Sequence, residues 1–152
     1  MQKSNHHHQN EEEMIATTCE QTARLLACGV DPKTADMMWD RLDENRDYLL
    51  LSASWETNRI KNRKITVNTI PAWSLSALLT SVLPRKIKAE KEYLNYTLNL
   101  HPYFMDGWQI KYSYREYDEC YNLLREYSDT PIEACVKAVE WLTQNDYKLN
   151  TN

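Results

Sequence analysis

Two runs of strict alternation constrain this chain more than any other feature. In "LNYTLNL" (94–100), Leu94, Tyr96, Leu98 and Leu100 alternate with Asn95, Thr97 and Asn99. In "WQIKYSYR" (108–115), Trp108, Ile110, Tyr112 and Tyr114 alternate with Gln109, Lys111, Ser113 and Arg115. Successive side chains of an extended chain point to opposite faces, so each run reads as a strand with one apolar and one polar face. The linker "HPYFMDG" carries the turn pair Asp106-Gly107, which makes the two an antiparallel hairpin. The apolar face of that hairpin needs a helix laid against it.

Two segments are suited to that role. In "DTPIEACVKAVEWLTQ" (129–144), Thr130 and Glu133 have capping-box spacing, Pro131 fits the first helical position, and Ile132, Cys135, Val136, Val139 and Leu142 form an apolar stripe. In "SLSALLTSVLP" (74–84), Ser74 is the N-cap, Pro84 the stop, and Leu75, Leu78, Leu79, Val82 and Leu83 the stripe. Further upstream, "TTCEQTARLLACGV" (17–30) predicts a helix opened by Thr18 and Gln21 and ended by Gly29. "VDPKTADMMWDRL" (30–42) predicts a second, with Asp31 as N-cap, Pro32 at the first position, and Met38, Trp39 and Leu42 on its apolar side. The pair has the outline of a helix-turn-helix. Phosphates would repel Asp36, Asp40, Asp43 and Glu44 on the second helix, so a structural helical hairpin is the expectation. "DYLLLSASWET" (47–57) and "KITVNTI" (64–70) are predicted strands.

The fold expected is therefore α+β. Residues 1–14 are a disordered tail and 15–152 a single domain. Two N-terminal helices precede a mainly antiparallel sheet of three to five strands, with the helices near 74–83 and 131–144 packed on one face. Residues 65–84 contain no charge and have the length of a membrane span. Their hydroxyls, Asn68 and Pro71 argue against a spanning helix, and a strand at 65–67 feeding the Leu-rich helix is expected in the core. No membrane partner is expected.

Catalytic signatures are missing. With two glycines in 152 residues, Gly-rich phosphate loops are excluded, and no nucleophile-elbow or metalloprotease motif occurs. Cys19, Cys28, Cys120 and Cys135 make no Cys-x-x-Cys pair, and the N-terminus has no apolar run. Reduced thiols and a cytoplasmic location are expected. His6, His7 and His8 lie in the tail and do not make a designed metal site, so neither metal nor cofactor is expected. An enzyme would have to use dispersed residues in a polar pocket around His101 or Cys120.

Charge is segmented. Residues 1–57 carry 5 basic and 11 acidic side chains, residues 58–91 carry 8 and 1, and residues 92–152 carry 5 and 10. The basic middle supplies Arg59, Lys61, Arg63, Lys64, Arg85, Lys86, Lys88 and Lys91 as a candidate anion or nucleic-acid patch. Eight of the ten tyrosines fall between Tyr93 and Tyr127. Of the aromatic residues there, Tyr103, Phe104, Tyr117, Tyr121 and Tyr127 lie outside the assigned elements and are the candidate contact surface for a protein partner or a second copy of the chain. With the basic residues at 85–91 these aromatics also suit a stacking platform for single-stranded nucleic acid, but acidic residues interleaved at 116–126 rank protein contact above nucleic acid.

Three stretches, "GVDPKTADM" (29–37), "IPAWSLSALLTSVLP" (70–84) and "DTPIEACVKAVEWLTQNDY" (129–147), occur in an order that resembles a family of small proteins encoded in prophages and other mobile elements of gut Bacteroidetes. The resemblance implies an intracellular accessory protein and brings no activity or site residue with it. The expectation is a non-enzymatic interaction module of a phage or mobile element. The alternative is a nucleic-acid-binding accessory using the basic 59–91 segment.

Overall fold

A computed structural model describes residues 15–52 and 65–150. The expected tail, His6–His8, Arg59, Lys61, Arg63 and Lys64 lie outside the described residues. The chain is α+β, with two antiparallel sheets, one of three strands and one of four.

The smaller sheet is β1 (Met37–Asp40), β2 (Leu49–Ser52) and β3 (Thr69–Ala72), in the order β2-β1-β3. The larger is β4 (Lys86–Lys88), β5 (Asn95–Tyr103), β6 (Gly107–Glu116) and β7 (Glu119–Ser128), paired in sequence order. Helix α1 (Cys19–Ala27) precedes both sheets. Helix α2 (Leu75–Ala77, continued by a wider π turn over Leu78–Val82) lies between them, and α3 (Pro131–Gln144) follows the second.

The helix ends obey local chemistry. Thr18 caps α1, its hydroxyl accepting from Gln21 N while Gln21 Oε1 accepts from Thr18 N. Past the other end, Gly29 takes φ +86°, its N–H donates to Leu26 O, and Val30 N donates to Leu25 O. Both bonds satisfy carbonyls that a helix end leaves open. Thr130 caps α3 at Glu133 N and Ser74 caps α2 at Ala77 N.

Helix α3 packs on β6 and β7, α1 packs on α3 and on β3, and α2 packs against α3. The main core lies between α3 and the larger sheet and includes Trp73, Leu78, Ile110, Tyr112, Leu124, Ile132, Val136, Val139 and Leu142. Each such side chain withdrawn from water contributes about 1.5–3 kcal/mol of transfer free energy. Side-chain bonds also tie the elements together. Tyr112 Oη donates to Pro84 O at 2.6 Å, and Arg24 of α1 bridges Glu133 and Glu140 of α3 at 2.7 and 2.5 Å. A smaller core of Ala16, Trp39 and Ala72 joins α1 to the three-stranded sheet. Beside it, buried Thr22 donates to Pro71 O and Trp39 Nε1 donates to Thr17 O.

Four expectations are corrected. Among the described residues there is one N-terminal helix rather than two. Asp31 and Pro32 do open a helical turn, but it is a 3-10 turn of three residues, and Ala35 is already extended. A helix over 31–42 would place Asp40, Asp43 and Glu44 near its negative end. As the middle strand β1, the same segment buries Met38 and Trp39 fully. Second, the strand expected at 65–67 is a tight turn in which Thr66 pairs with Thr69. The pairing strand starts at Thr69, and Pro71 is tolerated there because β3 is an edge. Ile65 and Val67 are exposed, while Ala72, Trp73, Leu78 and Val82 are buried. Third, residues 119–128 are a full strand. Fourth, α2 shares the core beneath the sheet but docks chiefly on α3, so α3 is the main cover of the strands. Among the described residues no helix is long and apolar enough to cross a membrane.

Candidate functional site

The hairpin faces are those that the alternation predicts. Leu98 stands opposite Tyr112, Leu100 opposite Ile110, and Tyr96 lies 5.1 Å from Tyr114 between ring centroids. This is the side that α3 covers. Strand β7 joins through a two-residue turn, Tyr117 and Asp118, both at positive φ, as a two-residue hairpin turn of this hand requires. Its register then slips at a bulge, where Tyr112 faces Leu124 but the next rung pairs Ser113 with Asn122. Leu123 is the extra residue, and it packs with Leu124 on the core side.

Among the described residues no helix lies on the other face. Register assigns it Lys86 and Lys88 on β4, and Asn95, Thr97, Asn99, His101 and Tyr103 on β5. It adds Gly107, Gln109, Lys111, Ser113 and Arg115 on β6, and Cys120, Asn122, Arg125 and Tyr127 on β7. On β4, β5 and β7 every one of these is exposed except His101, which is half-buried. The face holds five Lys or Arg and no Asp or Glu. The strand carboxylates Glu116, Glu119 and Glu126 register with the opposite face, opposite Glu119, Glu116 and Ile110 respectively.

Lys111 and Arg125 are direct cross-strand partners. Like charges directly opposite one another destabilise a sheet. Among the described residues neither forms an ion pair. One rung further along this face, Gln109 is 5 % exposed and its Nε2 donates to Tyr127 Oη at 2.8 Å. Tyr127 in turn meets Tyr103 at 4.7 Å between ring centroids, and Phe104 stands edge-on to Tyr103 at 4.5 Å. Toward the other end, a shallow depression of about 420 Å³ is lined by Thr97, Asn99, Lys111, Ser113 and Arg115 among others.

The two sequence-predicted sets are both divided. Of the contact residues, Tyr103, Phe104 and Tyr127 gather at the β5–β6 end. Tyr117 and Tyr121 lie at the opposite end of β6, and Tyr121 stacks on Tyr114 on the core side at 5.0 Å. A hydrogen bond from its hydroxyl to Glu119 raises the pKa of Tyr121. Of the basic residues, Lys86 and Lys88 belong to the open face. Lys91 is bound by Glu116 at 3.1 Å, which raises its pKa, and Arg85 is exposed just before β4. The three cations of the long strands, Lys111, Arg115 and Arg125, were missing from the predicted patch.

His101 and Cys120, around which an enzyme of dispersed residues would be built, are not brought together, and Cys120 borders the depression of about 420 Å³ beside Arg115. His101 stands opposite Gln109 and Cys120 opposite Arg115, rungs about 20 Å apart at the rise of a strand. The His101 ring bonds Asn99 Oδ1 at 2.8 Å. Among the described residues, no three His, Cys, Asp or Glu come together to hold a metal ion. Cys135 is buried in α3, and burial pushes its thiol up to about 12. A separate cavity of about 520 Å³ is bordered by Cys28, Val82, Tyr147 and Lys148. Asp31, also on its wall, caps the 3-10 turn through Lys33 N. Compared with known proteins, the chain matches no family model, no curated protein and no solved structure.

Proposed function

We propose that this chain is a non-enzymatic accessory module whose working surface is the open face of the larger sheet, and that the face binds nucleic acid. The observation that carries this is the unpaired Lys111–Arg125 rung at the centre of a carboxylate-free face. A fold gains nothing from opposing two cations on adjacent strands, whereas a polyanion crossing the face neutralises both. Amides and hydroxyls supply most of the remaining positions, the groups that accompany Lys and Arg in backbone contacts to phosphate and sugar. The accessory role is in keeping with the resemblance to mobile-element proteins.

The test is fluorescence anisotropy with a labelled 20-nucleotide probe. Binding is expected at 50 mM salt and to weaken about 10–100-fold by 200 mM, as expected for three to five phosphate contacts. Lys111→Glu with Arg125→Glu abolishes it, and Lys33→Glu, on the distant 3-10 turn, does not. No binding at 50 mM salt overturns the reading.

A protein contact is the second reading. It is favoured by Phe104 and Met105, 85 % and 94 % exposed at the β5–β6 turn. Light scattering tests the simplest form: a dimer lost in Phe104→Ser with Met105→Ser supports it, and a monomer at all concentrations removes it.

A further inference from the structure

We infer that the open face takes a single strand rather than a duplex, with one base stacked at the Tyr103–Tyr127 pair and the following phosphates held by Lys111, Arg125 and Arg115. This rests on the nucleic-acid reading and adds the form of the ligand and its direction along the sheet.

Shape argues first. Strands lie about 4.8 Å apart, so the three long strands span about 10 Å between outer backbones, and their side chains widen the surface past the major groove of about 12 Å. That groove admits a two-stranded ribbon or a helix, and a broad sheet face meets a duplex only at its phosphates. A single strand lies flat on such a face and turns its bases toward it.

The ring pair argues second. Tyr103 stands opposite Gly107 and Tyr127 opposite Gln109. With no side chain at Gly107 to separate them, the rings meet across β6 at 4.7 Å, inclined by 55°. Gln109 holds the Tyr127 hydroxyl and Phe104 braces Tyr103 from the edge. Each tyrosine is nonetheless 38 % exposed. A braced, half-open aromatic pair stacks a base with little loss of side-chain freedom.

Charge sets the direction. The Lys111–Arg125 rung is two residues from Tyr127 along the strands, about 7 Å, within the span of one nucleotide. Arg115 continues the same line four residues beyond Lys111, across the depression of about 420 Å³ that Asn99 and Ser113 help to line. At the ring end the positive charge is offset, with one carboxylate beside one ammonium. Asp129 borders a second depression, of about 320 Å³, with Tyr103, Tyr127 and Lys137, and the Lys137 ammonium there donates to Tyr127 O at 2.8 Å. A carboxylate repels phosphate and accepts from a base N–H, thymine N3–H included. The base therefore lies at the ring end and the backbone runs from there along β6.

The experiment compares a labelled 20-mer of dT with a duplex of the same length at 50 mM salt, in the full chain. The single strand is expected to bind at least tenfold more tightly. Tyr103→Leu and Tyr127→Leu are each expected to weaken it about 5–100-fold without altering its salt slope. Tyr127→Phe, which keeps the ring, recovers most of the loss, and thermal midpoints show that each variant is folded. If the duplex binds as well as the strand, or the folded leucine variants bind like wild type, the single-strand inference is overturned and nucleic-acid binding stands. If neither probe binds, or polyglutamate competes as well as dT, both fall, and the face belongs to an acidic protein segment in the second case.

Discussion

The two faces of the larger sheet are built by the same four strands and obey opposite rules. Under α3 the positions are Ile110, Tyr112 and Leu124, all buried, with the strand carboxylates Glu116, Glu119 and Glu126 registered to that side. On the open side they are cations, amides, hydroxyls and two tyrosines, with two cations set against each other and no counter-charge among them. One face is resolved by burial, and its own like-charge rung, Glu116 opposite Glu119, is relieved by Lys91 at Glu116; the other is left electrostatically unresolved. Consistency across levels is what makes a sequence fold, and a local violation without compensation marks a site kept for another purpose. Stability and binding should therefore separate by face, and substitutions can break that separation or sharpen it.

The largest effect is expected under the helix. Tyr112 is fully buried, and its hydroxyl, whose pKa burial raises, ties β6 to Pro84. Tyr112→Ala removes the ring and leaves Pro84 O without its donor, for a loss of about 3–5 kcal/mol. Against a typical total of about 5–15 kcal/mol, urea unfolding should show a much lower midpoint or no folded baseline. A variant of near wild-type stability would mean that this face is not the core.

Next is the tie between helices. Arg24→Ala leaves Glu133 and Glu140, both partly buried, without their partner, and about 1–3 kcal/mol should be lost. The loss should depend on pH. Burial works to raise the Glu133 carboxyl, but hydrogen bonds from Arg24 and Gln21 prevail and hold its pKa below the ordinary carboxylate value. A lowered acid contributes stability that is present above its unfolded pKa and lost as pH falls through the folded one. The gap between wild type and Arg24→Ala should be full at pH 6–7 and shrink below pH about 4.5, which denaturant melts across that range would check. A smaller effect is expected at Gly29, where φ is +86° and a methyl group meets nothing within 4 Å. Gly29→Ala should cost about 1 kcal/mol, from backbone strain alone.

The residues behind these effects differ in how readable they were. Helix caps are local chemistry, so Thr18, Gln21 and Thr130 announce α1 and α3 before any packing is known, although the box closes only at α1 and Glu133 turns instead to Arg24 and Gln21. Alternation is local too, and it put Ile110 and Tyr112 on the correct side of β6. Strand β1 was hidden because Asp31-Pro32 opens a helical turn either way. Only the neighbours β2 and β3, paired through Leu51 and Pro71 to Met38, decide that the chain then extends. Strand β7 was hidden by its bulge. With Leu123 inserted, Tyr121 and Leu124 share a face although they stand an odd number of residues apart, so no unbroken period of two runs through 119–128. The candidate site was lost for a related reason. Charge counted along the chain makes residues 92–152 acidic, while the sheet sends their strand cations and carboxylates to opposite sides. Lys111 and Arg115 were legible as polar-face residues of a predicted strand. The meeting of Lys111 with Arg125 needed β7.

The smallest expected change is the one that most directly tests the contrast between faces. Surface substitutions away from special features alter stability by less than about 0.5 kcal/mol, and Lys111→Ala or Arg125→Ala should fall in that range. The sign is the informative part. Because the two cations stand directly opposite, removing either relieves repulsion, so each variant should be slightly more stable than wild type, by a few tenths of a kcal/mol, roughly the lower end of a cross-strand pair term. The gain should be larger in dilute buffer and fade as salt rises, since exposed charges are screened over about 10 Å at 0.1 M. In the double variant the second substitution should add little, because the repulsion is already gone. Thermal midpoints at two ionic strengths would read both features. Loss of stability in either single variant would mean that Lys111 and Arg125 serve the fold through their stems, and the open face would then resemble the covered one more than its charges suggest. A gain in stability joined to a loss of oligonucleotide binding is what a surface kept for a ligand, at some cost to the fold, must show.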